Sequence, residues 1–340
     1  MDRREFMKLL AAAAVGGSSL MVSAGPGAKT SHAGEELIHR NERPSMTYRR
    51  LGRTNFMSSR LVFGCGAALR NKGAVRLLNR AFEAGINHYD VGSDIYYKGS
   101  ERNLAPFVKA HRDQIWLVSK APTSIRVQPE DSISSAQARA AGDFWRQLLE
   151  RSLSDLQTDY VDAYYLMGVS NPSLLRCDEL YDVFIKARTA GKVGHFGVSV
   201  HKNTQRVLEA AIETGWYDLA MVGITPAGWY DWTTKELMEG TPSLIRIQPL
   251  LKRARSAGIG LIGMKAARYL APMKSSGKGE PGAFDAVYSE DFLKSPLTPY
   301  QRSYAYVLEH GLDVVNADMQ NFKHLEENII AAATSHRYFS

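Results

Sequence analysis

The sequence has few cysteines, no long hydrophobic run and no concentration of charge of one sign. Cys65 and Cys177 are its only cysteines, and they lie far apart without a CxxC spacing. We therefore expect neither a metal or iron–sulfur cluster nor a disulfide scaffold. The formal net charge is +7, but the basic residues are scattered along the chain instead of gathered into a stripe. This pattern indicates a solvated surface and no nucleic-acid partner.

The most apolar stretch lies at the amino terminus, where residues 9–24 are diluted by glycine and serine. It is too short and too polar for a good membrane span. Because it follows Arg3 and Arg4 and ends in small residues, it resembles a twin-arginine export signal. We predict a signal peptide over residues 1–24 and a flexible linker over residues 25–45. The alternative is a basic amphipathic amino terminus of a cytoplasmic protein.

Export would make the twin-arginine machinery a partner of this chain and place the mature protein in the periplasm or otherwise outside the cytoplasm. We expect no stable membrane span in the mature protein.

From residue 61 onward, short apolar runs typical of strands alternate with amphipathic helical segments. Eight such pairs predict an α/β fold, a (β/α)8 TIM barrel, over residues 46–340. A doubly wound sheet is the alternative, but it needs a GxGxxG fingerprint after its first strand. The stretch "FGCGAALRNKG" matches that fingerprint poorly.

Functional side chains stand at the predicted carboxyl ends of the strands, which form the active face of such a barrel. Lys120 ends the apolar run "IWLVSK", and Asp90 ends the strand expected beside it. A Lys120–Asp90 pair would help a nearby phenol such as Tyr96 to give a proton to a substrate oxygen. Each residue alone also suits a structural ion pair or a turn. Their joint placement favours a catalytic site, in which Met167 at the end of "YVDAYYLM" is the unusual member.

Several motifs, in this order and spacing, resemble the aldo/keto reductase superfamily over nearly the whole mature chain. The resemblance implies an N-terminal β-hairpin before the barrel, a nicotinamide cofactor and a small-molecule carbonyl substrate. The motifs are "YRRLGRTNFMSSRLVFG" at 48–64, "AFEAGINHYDVGSDIYYKGSERNL" at 81–104, "DLQTDYVDAYYLMGV" at 155–169, "GKVGHFGVSVH" at 191–201 and "MQNFKHLEENI" at 319–329.

The resemblance also implies the catalytic residues. It assigns the proton donor to Tyr96, with Lys120 and Asp90 in support. Asp90 and Tyr96 are separated by one residue more than is usual in the family, so Tyr97 is the alternative donor.

Met167 stands where the family usually has a histidine. A thioether cannot donate a hydrogen bond to a carbonyl, and losing such a donor raises a barrier by about 2.7 to 4 kcal/mol. His201 and His88 are candidate replacements, although we expect each of them to be structural. The chemistry is therefore expected to be weakened or altered.

The cofactor implied by the resemblance is NADP(H), with NAD(H) as the alternative. Val200 and Met221 replace amide side chains that usually hold the nicotinamide, and this loss weakens its fixation. A catalytically silent barrel acting as an exported binding or partner module is therefore the alternative function. The implied cofactor-binding residues are Ser199, Lys265, Met319, Lys323, His324 and Asn328.

The aromatic loop at residues 226–232 has two interpretations. Its side chains Trp229, Tyr230 and Trp232 would either stack on a flat substrate or pack the loop on the barrel.

Overall fold

The structure, a computed structural model, describes residues 36–70, 73–271 and 279–339. The predicted signal peptide lies outside these residues, so its presence stays a prediction. None of the helices in the described ranges combines the length and the apolarity that a membrane span requires.

A two-stranded hairpin precedes the barrel and confirms the prediction. Strand β1 (Tyr48–Arg50) pairs antiparallel with β2 (Met57–Ser59). Phe56, just before β2, stacks on Trp116 with ring centroids 4.6 Å apart. Both rings belong to the apolar cluster that fills the barrel interior, so the hairpin closes the amino end of the barrel.

Ten strands of the described residues form one sheet. Two of them are a hairpin, and the other eight are parallel. These eight close into a ring because the strand Val193–Val200 pairs with the strand Leu219–Thr225. The predicted TIM barrel is confirmed. The barrel strands are β3 (Leu61–Gly64), β4 (His88–Asp90), β5 (Trp116–Pro122), β6 (Val161–Met167), β7 (Val193–Val200), β8 (Leu219–Thr225), β11 (Gly260–Met264) and β12 (Val314–Asp318).

Helices follow the strands and bury their apolar faces against the outside of the ring. The helices are α1 (Cys65–Leu69), α2 (Val75–Glu83), α3 (Asp94–Tyr97), α4 (Ser100–His111), α5 (Ser135–Leu156), α6 (Asp178–Thr189), α7 (Thr204–Thr214), α8 (Leu244–Ser256), α9 (Glu290–Leu293), α10 (Pro299–Glu309) and α11 (Phe322–Thr334).

A second hairpin, β9 (Gly228–Asp231) and β10 (Glu236–Leu237), continues directly from β8. We predicted a loop at residues 226–232. The two strands are short and their turn has no distinctive sequence, so the hairpin is not evident in the sequence. Gly228 begins the hairpin with φ 129°, and a side chain at this position would collide with Thr241 and Pro242. Only glycine suits such a backbone, so Gly228 sets the direction in which the chain leaves β8 and enters the hairpin.

The chain just before the barrel is attached to it. We predicted a flexible linker over residues 25–45, but its described part, residues 36–45, is hydrogen-bonded to the fold. Arg40 Nη1 donates to Asp162 Oδ1 at 2.9 Å, and Asn41 Nδ2 donates to the carbonyl of Phe82 at 2.7 Å. Asp162 is almost fully buried, and its Oδ2 also forms an ion pair with Arg112 Nη1 at 3.0 Å. Its carboxylate therefore anchors this segment beneath the barrel.

Candidate functional site

An ion pair lies at the carboxyl end of two neighbouring strands. Lys120 Nζ on β5 lies 2.7 and 2.6 Å from the two carboxylate oxygens of Asp90 on β4, and it donates to the carbonyl of Val91 at 2.5 Å. Both side chains are only 4% exposed. Burial raises the pKa of Asp90, while Lys120 opposes that shift. Lys120 and Asp90 thus form the ion pair that we predicted.

The sequence reasoning missed a third member of this group, Asn316 on β12. Its Nδ2 donates to Asp90 Oδ2 at 2.6 Å and also lies 3.9 Å from the sulfur of Met221. An amide directly after the apolar pair Val314–Val315 in "LDVVNA" was a signal that could have pointed to it. With Lys120 and Asn316 as donors, the Asp90 carboxylate is held from two sides.

Tyr97 is the tyrosine that lies against the ion pair. Its ring fits between two glycines: a Cβ at Gly66 would lie 2.5 Å from the ring and one at Gly92 2.6 Å from it. Lys120 Nζ lies 5.6 Å from the ring centroid, within the range of a cation–π contact. Burial raises the pKa of Tyr97, and the charge of Asp90 adds to this effect. The phenol is therefore protonated at neutral pH.

Tyr96, the residue that we predicted as the proton donor, points elsewhere. It is 47% exposed, and its hydroxyl accepts a hydrogen bond from Trp232 Nε1 at 3.1 Å. Both tyrosines belong to α3, in which consecutive side chains diverge by about 100°. Only one of the two can face Lys120, and in the structure it is Tyr97. The structure therefore places Tyr97, the alternative donor, beside the ion pair and Tyr96 away from it, and the identity of the proton donor stays a prediction.

Helix α3 is held in place by a charged network on its outer side. Asp94 Oδ1 accepts from the backbone amide of Gly99 at 2.5 Å and from Arg102 at 2.8 Å, and Oδ2 accepts from Arg151 at 2.8 Å. These contacts lower the pKa of Asp94, the Gly99 amide first and the arginines after it. The short helix that carries Tyr97 is thereby tied to α4 and α5.

Met167 is the last residue of β6, as predicted. It therefore lies at the mouth of the barrel, the end formed by the carboxyl ends of the strands. It is in register with Pro122 on one side and Ser199 on the other. By the alternation of strand side chains it faces the barrel axis, like Tyr165 two residues earlier. The Tyr165 hydroxyl is buried and has no hydrogen-bond partner in the described part of the chain. Met167 therefore leaves the end of β6 without a hydrogen-bond donor at the mouth.

The two candidate replacement histidines lie in different environments. His88 is fully buried, and its Nδ1 lies 2.9 Å from Ser58 Oγ at the closed end of the barrel, which indicates a structural residue. His201 follows β7 at the mouth and lies against Gly223, where an added Cβ would be 3.4 Å from its Nδ1. That nitrogen has no partner among the described residues. Burial lowers the pKa of each imidazole to about 3, so both are neutral.

Lys265, one of the implied cofactor-binding residues, lies at the mouth. It follows β11 with a left-handed φ of 68°. Within the described ranges its Nζ makes no hydrogen bond or ion pair, and it lies 4.1 Å from the ring centroid of Trp232. Burial lowers the pKa of Lys265 to about 8. Among the described residues no carboxylate lies within ion-pair distance of this ammonium, although the charge of Asp318 acts on it from further away.

The remaining predicted cofactor residues divide into three groups. Ser199, at the end of β7, is 1% exposed and lies on the axial side of the sheet. Lys323 and His324 are exposed on the first turn of α11, where Asn321 caps the helix by accepting from the His324 amide at 2.9 Å. Asn328 is buried one turn further on. Met319 is fully buried in the apolar core, so its side chain is not available to a ligand.

The aromatic loop packs partly on the barrel, as one of its two interpretations predicted, and partly lies at the mouth. Trp229 and Tyr230 are buried at 4% and 0% exposure, so they pack the hairpin on the barrel. Trp232 lies at the tip, where Lys235 Nζ is 3.0 Å and Lys265 Nζ 4.1 Å from its ring centroid. One aromatic residue of the loop therefore belongs to the mouth of the barrel.

Solved structures share this architecture. The holo form of an aldo-keto reductase from Bacillus halodurans has a TM-score of 0.59 at 21% identity, covering 84% of this chain and 90% of that one. An aldo-keto reductase from Klebsiella pneumoniae, solved in complex with NADPH, has a TM-score of 0.57 at 20% identity, with coverage of 84% and 89%. At these identities the similarity establishes the fold.

Sequence comparisons establish the family. "Uncharacterized oxidoreductase YqkF" of Bacillus subtilis (strain 168) is 27% identical over 156 residues, 45% of this chain, and the match spans 49% of that relative. "Probable aldo-keto reductase 1" of Glycine max is 28% identical over 309 residues, 84% of each chain. Residues 61–239 match the model of the aldo/keto reductase family. The chain therefore belongs to the aldo/keto reductase family.

Proposed function

We propose that the chain is an NADP(H)-dependent oxidoreductase that reduces a small-molecule carbonyl compound, with Tyr97 as the proton donor. The observation that carries this proposal is the placement of Tyr97 between two glycines and over the buried Lys120–Asp90 pair. Membership of the family supports the reaction class. The NADPH in the Klebsiella pneumoniae relative supports the choice of cofactor.

The chain offers suitable partners to the phosphate-bearing end of such a cofactor. Lys265 has no ion-paired carboxylate in the described part of the chain, and the free amides at the amino end of α11 suit a phosphate. Lys323 and His324 are exposed on the same turn, where they would meet a 2′-phosphate, which favours NADP(H) over NAD(H). Ser199 is the polar residue available to the nicotinamide carboxamide. When bound, the cofactor supplies the hydride.

The protein's own groups account for the proton. The raised pKa keeps Tyr97 protonated until a substrate oxygen gains negative charge. Tyr97 then donates its hydroxyl proton, and the Lys120 cation stabilises the resulting phenolate. Asp90 binds the Lys120 ammonium through both carboxylate oxygens, and Asn316 fixes the Asp90 carboxylate. Because this group is buried, its electrostatic interactions are not screened by water.

A catalytically silent barrel is the second candidate, and one specific observation favours it. Met167 leaves the end of β6 without a hydrogen-bond donor at the mouth, and Val200 and Met221 are buried apolar residues beside Ser199. A substrate oxygen would then be oriented by Tyr97 without a donor from Met167. Such a protein would keep the ion pair for the stability of the barrel and act as a binding or partner module.

The two tyrosines provide a matched pair of variants. We expect Tyr97→Phe to lower kcat for carbonyl reduction about a hundredfold or more, because it removes the acid from the Lys120–Asp90 group. Tyr96→Phe loses only the contact with Trp232 and should change kcat less than about threefold. Steady-state NADPH oxidation with a panel of aldehydes measures both. The opposite ranking would return the role of the acid to Tyr96.

The Met167→His variant separates the reductase from the silent barrel. If Tyr97 already performs the chemistry, an imidazole at this position should raise kcat up to about a hundredfold by orienting the carbonyl. Met167→Gln, which also adds a donor but on a different framework, is the control for a general effect of polarity. No turnover in the wild type and in both variants, with the fold intact by circular dichroism, would favour the silent barrel.

Lys265 predicts a pH dependence of cofactor binding. Its pKa is lowered from 10.5 to about 8, so the cation loses its proton as the pH rises through that value. The affinity for NADPH should therefore fall severalfold between about pH 7 and 9.5. Lys265→Arg stays protonated over this range and should bind with a flatter pH profile. Fluorescence titration with NADPH measures both, and identical profiles would exclude Lys265 as the phosphate partner.

A further inference from the structure

The hairpin after β8 reaches across the whole mouth of the barrel. In the ring of eight strands, β4 and β8 are four places apart and therefore opposite each other. Tyr96 belongs to the helix that follows β4, and Trp232 lies at the tip of the β9–β10 hairpin. The hydrogen bond from Trp232 Nε1 to Tyr96 Oη, 3.1 Å long, thus joins the two sides above the Lys120–Asp90 pair.

Trp232 also holds the cation that the proposed function assigns to a phosphate. Lys265 Nζ lies 4.1 Å from the ring centroid and makes no hydrogen bond or ion pair within residues 36–70, 73–271 and 279–339. Lys235 Nζ lies 3.0 Å from the same centroid. An ammonium against an indole is attracted by the ring, but the ring does not neutralise its charge.

The charges around Lys265 leave it short of negative partners. Lys120, Lys235 and Arg268 act on it as cations, and Asp318 is the acid that acts on it in return. A phosphate oxygen would form a charge-assisted hydrogen bond with this ammonium, which is stronger than a cation–π contact. An anion that reaches Lys265 should therefore take it from the indole.

The base and the tip of the hairpin differ in how deeply they are buried. Trp229 and Tyr230 are buried at the base, but Trp232 at the tip is only half-buried. Strand β10 contributes two residues to the sheet, Glu236 and Leu237. Among the described residues, a short antiparallel ladder, hydrogen bonds within the turn and the contacts of Trp232 hold the tip over the mouth.

We propose that Trp232 competes with a phosphate group for Lys265, so that a phosphate ligand releases the hairpin tip from the mouth of the barrel. This inference rests on the proposed function in taking Lys265 as the phosphate site, and it adds the regulation of that site. In the absence of a ligand, the tip closes the mouth by its contacts with Tyr96 and Lys265. Phosphate binding exchanges the contact with Lys265 for a stronger one and frees Trp232.

The test uses the full chain with inorganic pyrophosphate at a fixed pH of about 7. Removing the indole in Trp232→Leu should tighten pyrophosphate binding about three- to tenfold, because the competing contact is lost. Trp232→Phe keeps an aromatic face and should lie between Trp232→Leu and the wild type. Lys265→Met removes the partner of the anion and should abolish binding. Calorimetry gives the affinities, and thermal melting checks that each variant is folded.

A second readout follows the tip itself. The chain has five tryptophans, so the difference between wild-type and Trp232→Phe emission isolates Trp232. Pyrophosphate should shift this difference spectrum to the red as the indole becomes exposed, and the shift should be absent in Lys265→Met. Together with the tighter binding of Trp232→Leu, that result supports the competition.

Three results would overturn the inference: unchanged or weaker binding in Trp232→Leu, an unmoved Trp232 signal at saturation, or no pyrophosphate binding by wild type and Trp232→Leu. Failure of the proposed function appears separately, as absence of NADPH-dependent carbonyl reduction. It does not alter the pyrophosphate titration.

Discussion

The buried ion pair between Lys120 and Asp90 is the interaction on which the mouth of this barrel depends. Removing two charges from water costs several kcal/mol per ion, and that cost is offset only when both groups find close partners. Here Lys120 meets both carboxylate oxygens and the Val91 carbonyl, while Asn316 supplies a further donor to Asp90. The pair thus joins β4, β5 and β12 at the end where the site lies.

The same constraint decides which tyrosine lies against the ion pair. The glycines at 66 and 92 leave a slot beside Lys120 that is filled by one aromatic ring. Helix α3 turns Tyr97 into this slot and Tyr96 outward, and the Asp94 network fixes that orientation. Tyr96 then becomes available to the hairpin on the opposite side of the mouth.

The barrel and the ion pair could be predicted from the sequence, because both follow from local patterns. Alternating apolar runs set the strands, and Asp90 and Lys120 stand at strand ends that parallel pairing brings together. The choice between Tyr96 and Tyr97 could not be made, since a single inserted residue changes which side of a short helix faces inward. Asn316 was missed because its partner lies far away in the sequence, and the β9–β10 hairpin because its strands are too short to show a period.

The most direct test of the central claim is a crystal structure of the chain with NADPH and a bound carbonyl compound. The account predicts the carbonyl oxygen at hydrogen-bond distance from Tyr97 Oη, about 2.7 to 2.8 Å, with Lys120 still paired to Asp90. A carbonyl oxygen bound to Tyr96 Oη instead, with Tyr97 unliganded in its slot, would contradict it.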